Sequence, residues 1–431
     1  MDRRIFLKNT SLLVAGASII TLNLGCDRKK HPNDLITIGM IGVGSQGVDR
    51  NLQYYLKYPE LCRVVAVCDV SISRATSAMN LVNNTYKSKD CKSYQDFREL
   101  LEDKTIDAIQ ISTPDHWHVP ITIMSALKGK HVCCEKPTLT IAEGRLLCDV
   151  ITKTGIVYQV SMEDRFLPNY HKMAEVALNG RLGKLKHIEI SLPVAALPTE
   201  NLQITEPPKD LDFDLWLGPT PEIPFIYNRT FYNFRWYDAF SGGVLTDWGA
   251  HYCDTAQLVS GNELTGPTEV TPTGETLFYN DGIFNTAYQF DLQYKYANGV
   301  SMRLKGGDAS IRLEGEEGWV ESVGWNRTVV ASKDNILDLS EKKISLPTAD
   351  NEIIDFLESI KLGRKAIYNA ETGHRTSSLL HCGNTALKLN RKVEWNPQTE
   401  AFVNDDEAEK FKKRVMRDKW SYSKLCPEYK Y

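Results

Sequence analysis

The chain contains no long basic run, no internal repeat and no low-complexity tract. With a formal net charge of −4 over 431 residues, it lacks the electrostatic footprint of a nucleic-acid-binding protein. The short Asp27-Arg28-Lys29-Lys30 cluster reads as a linker. Paired short cysteine spacings are also missing. The ten cysteines are scattered, and Cys133-Cys134 falls in an apolar run that reads as a buried strand, so free thiols are expected rather than a zinc site or disulfide framework. His116 and His118 flank Trp117 without a carboxylate set around them, so no metal is expected. The uncharged stretch from Ser11 to Leu24 has too few apolar residues to span a bilayer. The length exceeds one ordinary core, which makes two domains the default.

What the first residues do contain is Arg3-Arg4-Ile5-Phe6-Leu7-Lys8 ahead of that stretch, the pattern of a twin-arginine signal and its h-region. Residues 1–33 are therefore expected to direct export of an already folded protein to the periplasm. Cys26 follows Leu24-Gly25 and is a candidate lipid anchor, although Asn23 stands where lipoprotein signals prefer Leu. Soluble and lipid-anchored forms both stay open.

Directly behind this lies Ile38-Gly39-Met40-Ile41-Gly42-Val43-Gly44-Ser45-Gln46-Gly47. Leu35 to Ile41 reads as a buried strand and Val48 to Tyr58 as a helix, which gives the strand, glycine turn and helix of a dinucleotide site. Gly42 suits the tight turn, Gly44 the approach of a pyrophosphate, and Gly47 the packing of helix on strand. Ser45 and Gln46 open the helix N-terminus where phosphates sit. Roughly twenty residues later, Asp69 ends a second strand, Arg63 to Asp69, where a carboxylate binds ribose hydroxyls and disfavours a 2′-phosphate. The cofactor expected is NAD. An exposed strand-end Asp with no such role is the alternative.

The alternation continues. Helices are expected at Ser73–Val82, Gln95–Glu102, Val119–Leu127 and Ile141–Thr152, and strands at Ile106–Ser112, His131–Cys134 and Ile156–Val160, with Gly129 and Gly155 as helix stops. This is an α/β pattern with a doubly wound parallel sheet over residues 34–160. Residues 161–431 read differently. Strand-like runs at Lys186–Val194, Thr286–Tyr296 and Val300–Lys305, and a hairpin over Ser310–Val323, predict an open, mainly antiparallel sheet in an α+β domain. The Pro- and acid-rich stretch Pro198–Pro224 reads as loop.

Gly42-Val43-Gly44, Asp69, Thr113-Pro114 with His118, Glu135-Lys136-Pro137 and Gly242–His251 together resemble the glucose-fructose oxidoreductase and inositol dehydrogenase family, Gfo/Idh/MocA. The resemblance covers nearly all of the chain after the signal. It implies a Rossmann domain followed by a larger sheet domain, and hydride transfer at a sugar or polyol carbon. Thr113, Pro114, His118, Glu135 and Lys136 then belong to the cofactor side, and Lys136, Asp247 and His251 form the catalytic set. A homo-oligomer, dimer or tetramer, through the C-terminal sheet is expected.

Oxidation of a secondary alcohol needs a group that takes the hydroxyl proton and a positive charge for the developing alkoxide. Lys136 follows a strand end and suits the charge. Asp247 and His251 stand four apart on one face of a helix running to about Ser260. His251 suits the base, and Asp247 fixes its tautomer or binds a hydroxyl. Read without the resemblance, the same pair is a helix-capping arrangement. Arg165 and Tyr170 are candidates for sugar hydroxyls, against an Arg165 ion pair with Glu163 or Asp164. Trp117 and Trp236 are candidates for stacking on a sugar face, against ordinary core packing.

Three functions remain open: a sugar, glycoside or polyol oxidoreductase that regenerates its own cofactor; a glycoside-cleaving enzyme acting through transient oxidation and elimination; and a non-catalytic sugar-binding protein on the same fold. The Lys136, Asp247 and His251 set favours the first.

Overall fold

A computed structural model describes residues 35–194, 200–325, 327–429 and 431. The twin-arginine segment and Cys26 lie outside the described residues. Strands β1 (Ile36–Ile41), β2 (Cys62–Cys68), β3 (Lys92–Tyr94), β4 (Ala108–Ile111), β5 (His131–Glu135) and β6 (Tyr158–Ser161) form a parallel sheet in the order β3-β2-β1-β4-β5-β6. Helices cover both faces of such a sheet, so its central strands are apolar throughout, and Ile38, Met40, Val64, Val67 and Ile109 are fully buried. The strand order reverses between β1 and β4, which opens a crevice at their C-terminal ends.

The glycines of the first turn are sterically required. Gly42 has φ +85, and a Cβ there would lie 2.6 Å from Ser112 O; a Cβ on Gly47 would lie 2.2 Å from Gly42 O. With that contact open, the helical segment begins at Gln46, slightly earlier than its apolar period indicates. The next departure is larger. The helix expected from Val119 begins at Asp115 and carries Pro120 in its second turn, where one intrahelical hydrogen bond is lost. The His116 carbonyl, to which Pro120 cannot donate, accepts from Arg414 Nη2 at 2.8 Å. His116, Trp117 and His118 are consequently buried in the helix rather than displayed on a loop.

The second sheet is built from β7 (Leu185–Leu192), β8 (Glu269–Pro272), β11 (Asp291–Lys295), β12 (Ser301–Gly306), β13 (Ser310–Gly315), β14 (Gly318–Val323), β15 (Val329–Ala331), β16 (Val393–Asn396) and β17 (Ala401–Phe402). Their order is β15-β14-β13-β7-β12-β11-β8-β16-β17, antiparallel except for β7 beside β12. Ile188, Ile190, Met302, Leu304, Ile311 and Leu313 point inward at period two, against helices Val244–Val259 and Ala370–Leu389. The run expected as one strand over Thr286–Tyr296 is split: β10 (Ala287–Gln289) pairs with β9 (Leu277–Phe278) in a separate small sheet, and Phe290 is buried at the break. Helix Phe213–Leu217 lies inside the stretch read as loop and buries Leu215, Trp216 and Leu217. The two halves are interlocked, since helix Glu352–Leu362 sends Ile353, Phe356 and Leu357 into the core that holds Ile36 and Val64.

Candidate active site

A cleft of about 730 Å³ runs from the glycine turn, past the C-terminal ends of β1, β2 and β4, to helix Val244–Val259. Lys136 enters from the residue after β5. Asp247 sits in the first turn of helix Val244–Val259 and His251 one turn later, so a single helix presents both to the cleft. Lys136 Nζ donates to Asp247 Oδ1 at 2.6 Å and to Asp247 O at 3.0 Å. Arg235 Nε donates to Asp247 Oδ2 at 3.1 Å. Burial alone would raise the Asp247 pKa, but the Lys136 ammonium and the Arg235 guanidinium outweigh it and hold the carboxyl below the usual range. Lys136 is the mirror image. Burial disfavours its charge, and Asp247 more than restores it.

His251 makes its key bond elsewhere than its helix spacing suggests. Its Nδ1 lies 2.7 Å from Asp164 Oδ2, so Asp164, and not Asp247, fixes the ring. Burial first, and then the Lys136 ammonium, depress the imidazole pKa to about 4. The ring is therefore neutral near pH 7. Asp164 is completely buried, and burial together with the Asp254 carboxylate pushes its pKa well up. Among the described residues one group of ligand-type side chains clusters tightly, Glu163, Asp164 and His251, with ligand atoms within 4.8 Å of one another. Asp164 is engaged by His251 and Glu163 pairs with Arg50 at 3.1 Å, so the group reads as a hydrogen-bond and ion-pair network.

At the other end of the cleft, Asp69 Oδ2 accepts from Val43 N at 3.0 Å and Oδ1 from Ser71 N at 2.9 Å. Gly44, Ser45 and Gln46 line the wall, and the only atom near a Cβ on Gly44 would be Arg74 Nη1 at 3.6 Å, which leaves that backbone approachable. Gln46 Nε2 and Asn51 Nδ2 both donate to Glu135 Oε1. The ring nitrogens of His118 lie 2.8 Å from Pro137 O and Thr113 O, tying the β4 and β5 ends together. Thr113 Oγ1 and Asp115 Oδ2 are buried cleft atoms without a protein partner. An open glycine turn, a helix N-terminus and these unpaired atoms suit a dinucleotide that crosses the strand ends. The second domain closes the Asp69 end: Ile72 N donates to Asp210 O, Asp212 N to Val70 O, and Ser71 Oγ and Ser73 Oγ to Asp210 Oδ2.

Four candidates for substrate contact fall elsewhere. Arg165 is buried in ion pairs with Asp254 at 2.7 Å and Glu263 at 2.7 Å, so it is an ion-pair residue, although not with the neighbours expected. Tyr170 is buried beside Tyr252 and Trp325, away from the cleft lining. Trp236 is buried and donates to Asn233 Oδ1. Trp117 touches the cleft wall but is fixed in the core between Phe97 and Trp420, its Nε1 donating to Leu215 O and Trp216 O. The cleft wall instead presents Arg235 and Trp248, with Asp164 buried behind His251. Only Trp248, one residue after Asp247 on helix Val244–Val259, carried a local signal.

Two family profiles match the chain: "Oxidoreductase family, NAD-binding Rossmann fold" over residues 36–162, and "Oxidoreductase family, C-terminal alpha/beta domain" over residues 194–422. An uncharacterized oxidoreductase of Rhizobium meliloti is 31% identical over 157 residues, 36% of this chain and 45% of that protein. The chain thus spans about half the length of the first curated relatives it matches, 45% and 55%. The myo-inositol 2-dehydrogenase of Thermotoga maritima is 26% identical over 318 residues, covering 70% of this chain and 84% of that one. Among solved structures, the WlbA dehydrogenase of Bordetella pertussis in complex with NADH and UDP-GlcNAcA shares the fold, with a TM-score of 0.64, 15% identity, and coverage of 84% and 99%.

Proposed function

The chain belongs to the Gfo/Idh/MocA oxidoreductase family, and from that premise we propose that it moves a hydride between a tightly held NAD and a hydroxyl-bearing carbon of a sugar, glycoside or polyol. The observation that carries this reading is the convergence of Lys136, Asp247 and a neutral His251 at one end of the dinucleotide cleft. The inositol dehydrogenase and the complex with NADH and a nucleotide sugar support the substrate class by kinship.

Bound NAD supplies the hydride acceptor. Gly42, Gly44, Gly47 and the helix that starts at Gln46 would hold its pyrophosphate, and Asp69 its adenosine ribose. The protein's own groups handle the proton and the charge. With Nδ1–H donated to Asp164, the Nε2 lone pair of His251 accepts the substrate hydroxyl proton. Lys136 spends two of its three N–H donors on Asp247 and has one left for the developing alkoxide. Asp247 keeps both Lys136 and Arg235 charged and aimed.

The Asp210 contacts over the Asp69 end favour retention of cofactor, which suits an exported enzyme working where free NAD is scarce. We assign residues 1–33 to twin-arginine export; changing Arg3 and Arg4 to lysine should keep the protein in the cytoplasm. Self-association is assigned to the outer face of the second sheet, where Lys305–Glu189 and Arg303–Asp291 pairs face away from the core.

The test is mass analysis of products from the purified protein with free sugars, glycosides and polyols. A ketosugar or its reduced partner supports the reading. Release of the aglycone without net oxidation assigns redox-assisted glycoside cleavage instead, and binding without any product assigns a non-catalytic sugar-binding protein.

A further inference from the structure

Trp248 lies between Asp247 and His251 in sequence and lines the cleft half-buried. Its ring centroid is 5.8 Å from the His251 imidazole and 5.8 Å from Trp325, which meets it nearly edge-on at 80°. Trp325, just beyond β14, is itself 4.7 Å from His251 and is braced by Tyr170 and Tyr252. Both indoles are part-buried rather than sealed in the core. The catalytic end of the cleft thus has two unlike walls. Lys136, Arg235 and Asp247 form a charged one, and Trp248 backed by Trp325 forms an aromatic one.

At the rim Tyr232 is 63% exposed and lines the same cleft. The Arg235 guanidinium stands 4.9 Å over its ring, and Arg235 is held by Asp247, so Tyr232 is tied to the catalytic cluster. A pyranose matches this layout: its C–H bonds make an apolar face while its hydroxyls project from the perimeter. Trp248 shares the cleft with His251 and Lys136, so a ring whose hydroxyl met those two groups would lie beside it.

Resting on the hydride-transfer reading, we infer that Trp248, braced by Trp325, is the platform for the apolar face of a pyranose, and that Tyr232 receives a second ring. The substrate class is then a glycoside with a ring-bearing aglycone or second sugar, rather than a free monosaccharide or an acyclic polyol.

The experiment measures ligand binding to the purified holoprotein by saturation-transfer NMR and calorimetry, with methyl glucoside, phenyl glucoside, cellobiose, glucose and sorbitol, beside single-turnover reduction of the bound cofactor. Trp248→Ala should weaken methyl glucoside about tenfold, the scale of a lost aromatic contact, while the rate at saturation falls much less. Trp248→Phe should recover most of the affinity, which a purely structural role would not predict. Tyr232→Ala should weaken cellobiose and phenyl glucoside more than methyl glucoside. Wild-type affinity for Trp248→Ala, or equal affinity of the wild type for sorbitol and cellobiose, overturns the platform. Binding that responds to Trp248 without any cofactor reduction upholds the platform and overturns the hydride reading, so the two fail separately.

Discussion

His251 Nδ1 lies 2.7 Å from Asp164 Oδ2, across from the helix that carries both His251 and Asp247. Two acids therefore divide two tasks. Asp164, buried and reached from the turn after β6, holds the His251 ring; Asp247, one helical turn before His251, gathers Lys136 and Arg235. Burial and Asp254 raise the Asp164 pKa, while burial and Lys136 lower that of His251.

Asp164→Asn tests that division. A carboxamide can donate to Nδ1, which stabilises the Nε2–H tautomer and removes the lone pair from the cleft. Single-turnover hydride transfer should fall by about a hundredfold or more, the scale of lost general-base catalysis, with NAD binding unchanged. A rate within a few-fold of wild type would remove Asp164 from the orienting role.

The depressed His251 pKa, about 4, has Lys136 as its second cause after burial. Replacing Lys136 by Met removes a positive charge that opposes the imidazolium, so the histidine should titrate at higher pH than in wild type. NMR of the imidazole resonances reads this directly, independent of turnover. An unmoved or lower pKa would mean that burial alone sets the value. The same variant, like His251→Ala, should lose at least about a hundredfold in turnover.

Asp69 bears on cofactor choice. Its carboxylate is pinned by Val43 N and Ser71 N and, through burial first, has a raised pKa. A 2′-phosphate placed beside it would meet a carboxylate with no room to withdraw. Asp69→Ala should narrow the preference for NAD(H) over NADP(H) in fluorescence titrations. Tighter NADP(H) binding by the wild type would refute the ribose assignment.

Much of the fold was legible because strand and helix periods are local properties: the apolar runs of β1, β2 and β4 and the glycine stops need only neighbours along the chain. The site was legible where a motif kept its residues close together, as in Glu135-Lys136 and Asp247 to His251. It was not legible where distant elements converge. Arg165 looks like the sugar-binding residue of its turn, yet the single-turn helix Asp164–Phe166 aims Asp164 at His251 and sends Arg165 to Asp254. One residue of rotation separates the two outcomes, and only the packing of helix Val244–Val259 decides between them. Arg235 and Asp210 come from stretches with no period to read, where the second domain supplies the contact.

The Asp210 contacts give the proposed cofactor retention a direct test. Its carboxylate accepts from Ser71 Oγ at 2.8 Å and Ser73 Oγ at 2.6 Å, and its backbone oxygen from Ile72 N at 3.0 Å, next to Asp69. Asp210→Ala removes both side-chain hydrogen bonds across this end of the cleft, so NADH release in stopped-flow displacement should become several-fold faster, with little change in single-turnover rate. Wild-type protein purified and then denatured should release stoichiometric NAD(H), since retention through dilution needs a Kd of roughly micromolar or tighter. An enzyme that keeps its cofactor must return the hydride to a product or a second carbonyl within each cycle, which gives ping-pong kinetics without added NAD. A wild-type preparation that is empty and turns over only when NAD is supplied would refute the closed cycle. Unchanged release from the Asp210→Ala protein would instead show that the contacts over Asp69 are domain packing with no part in retention.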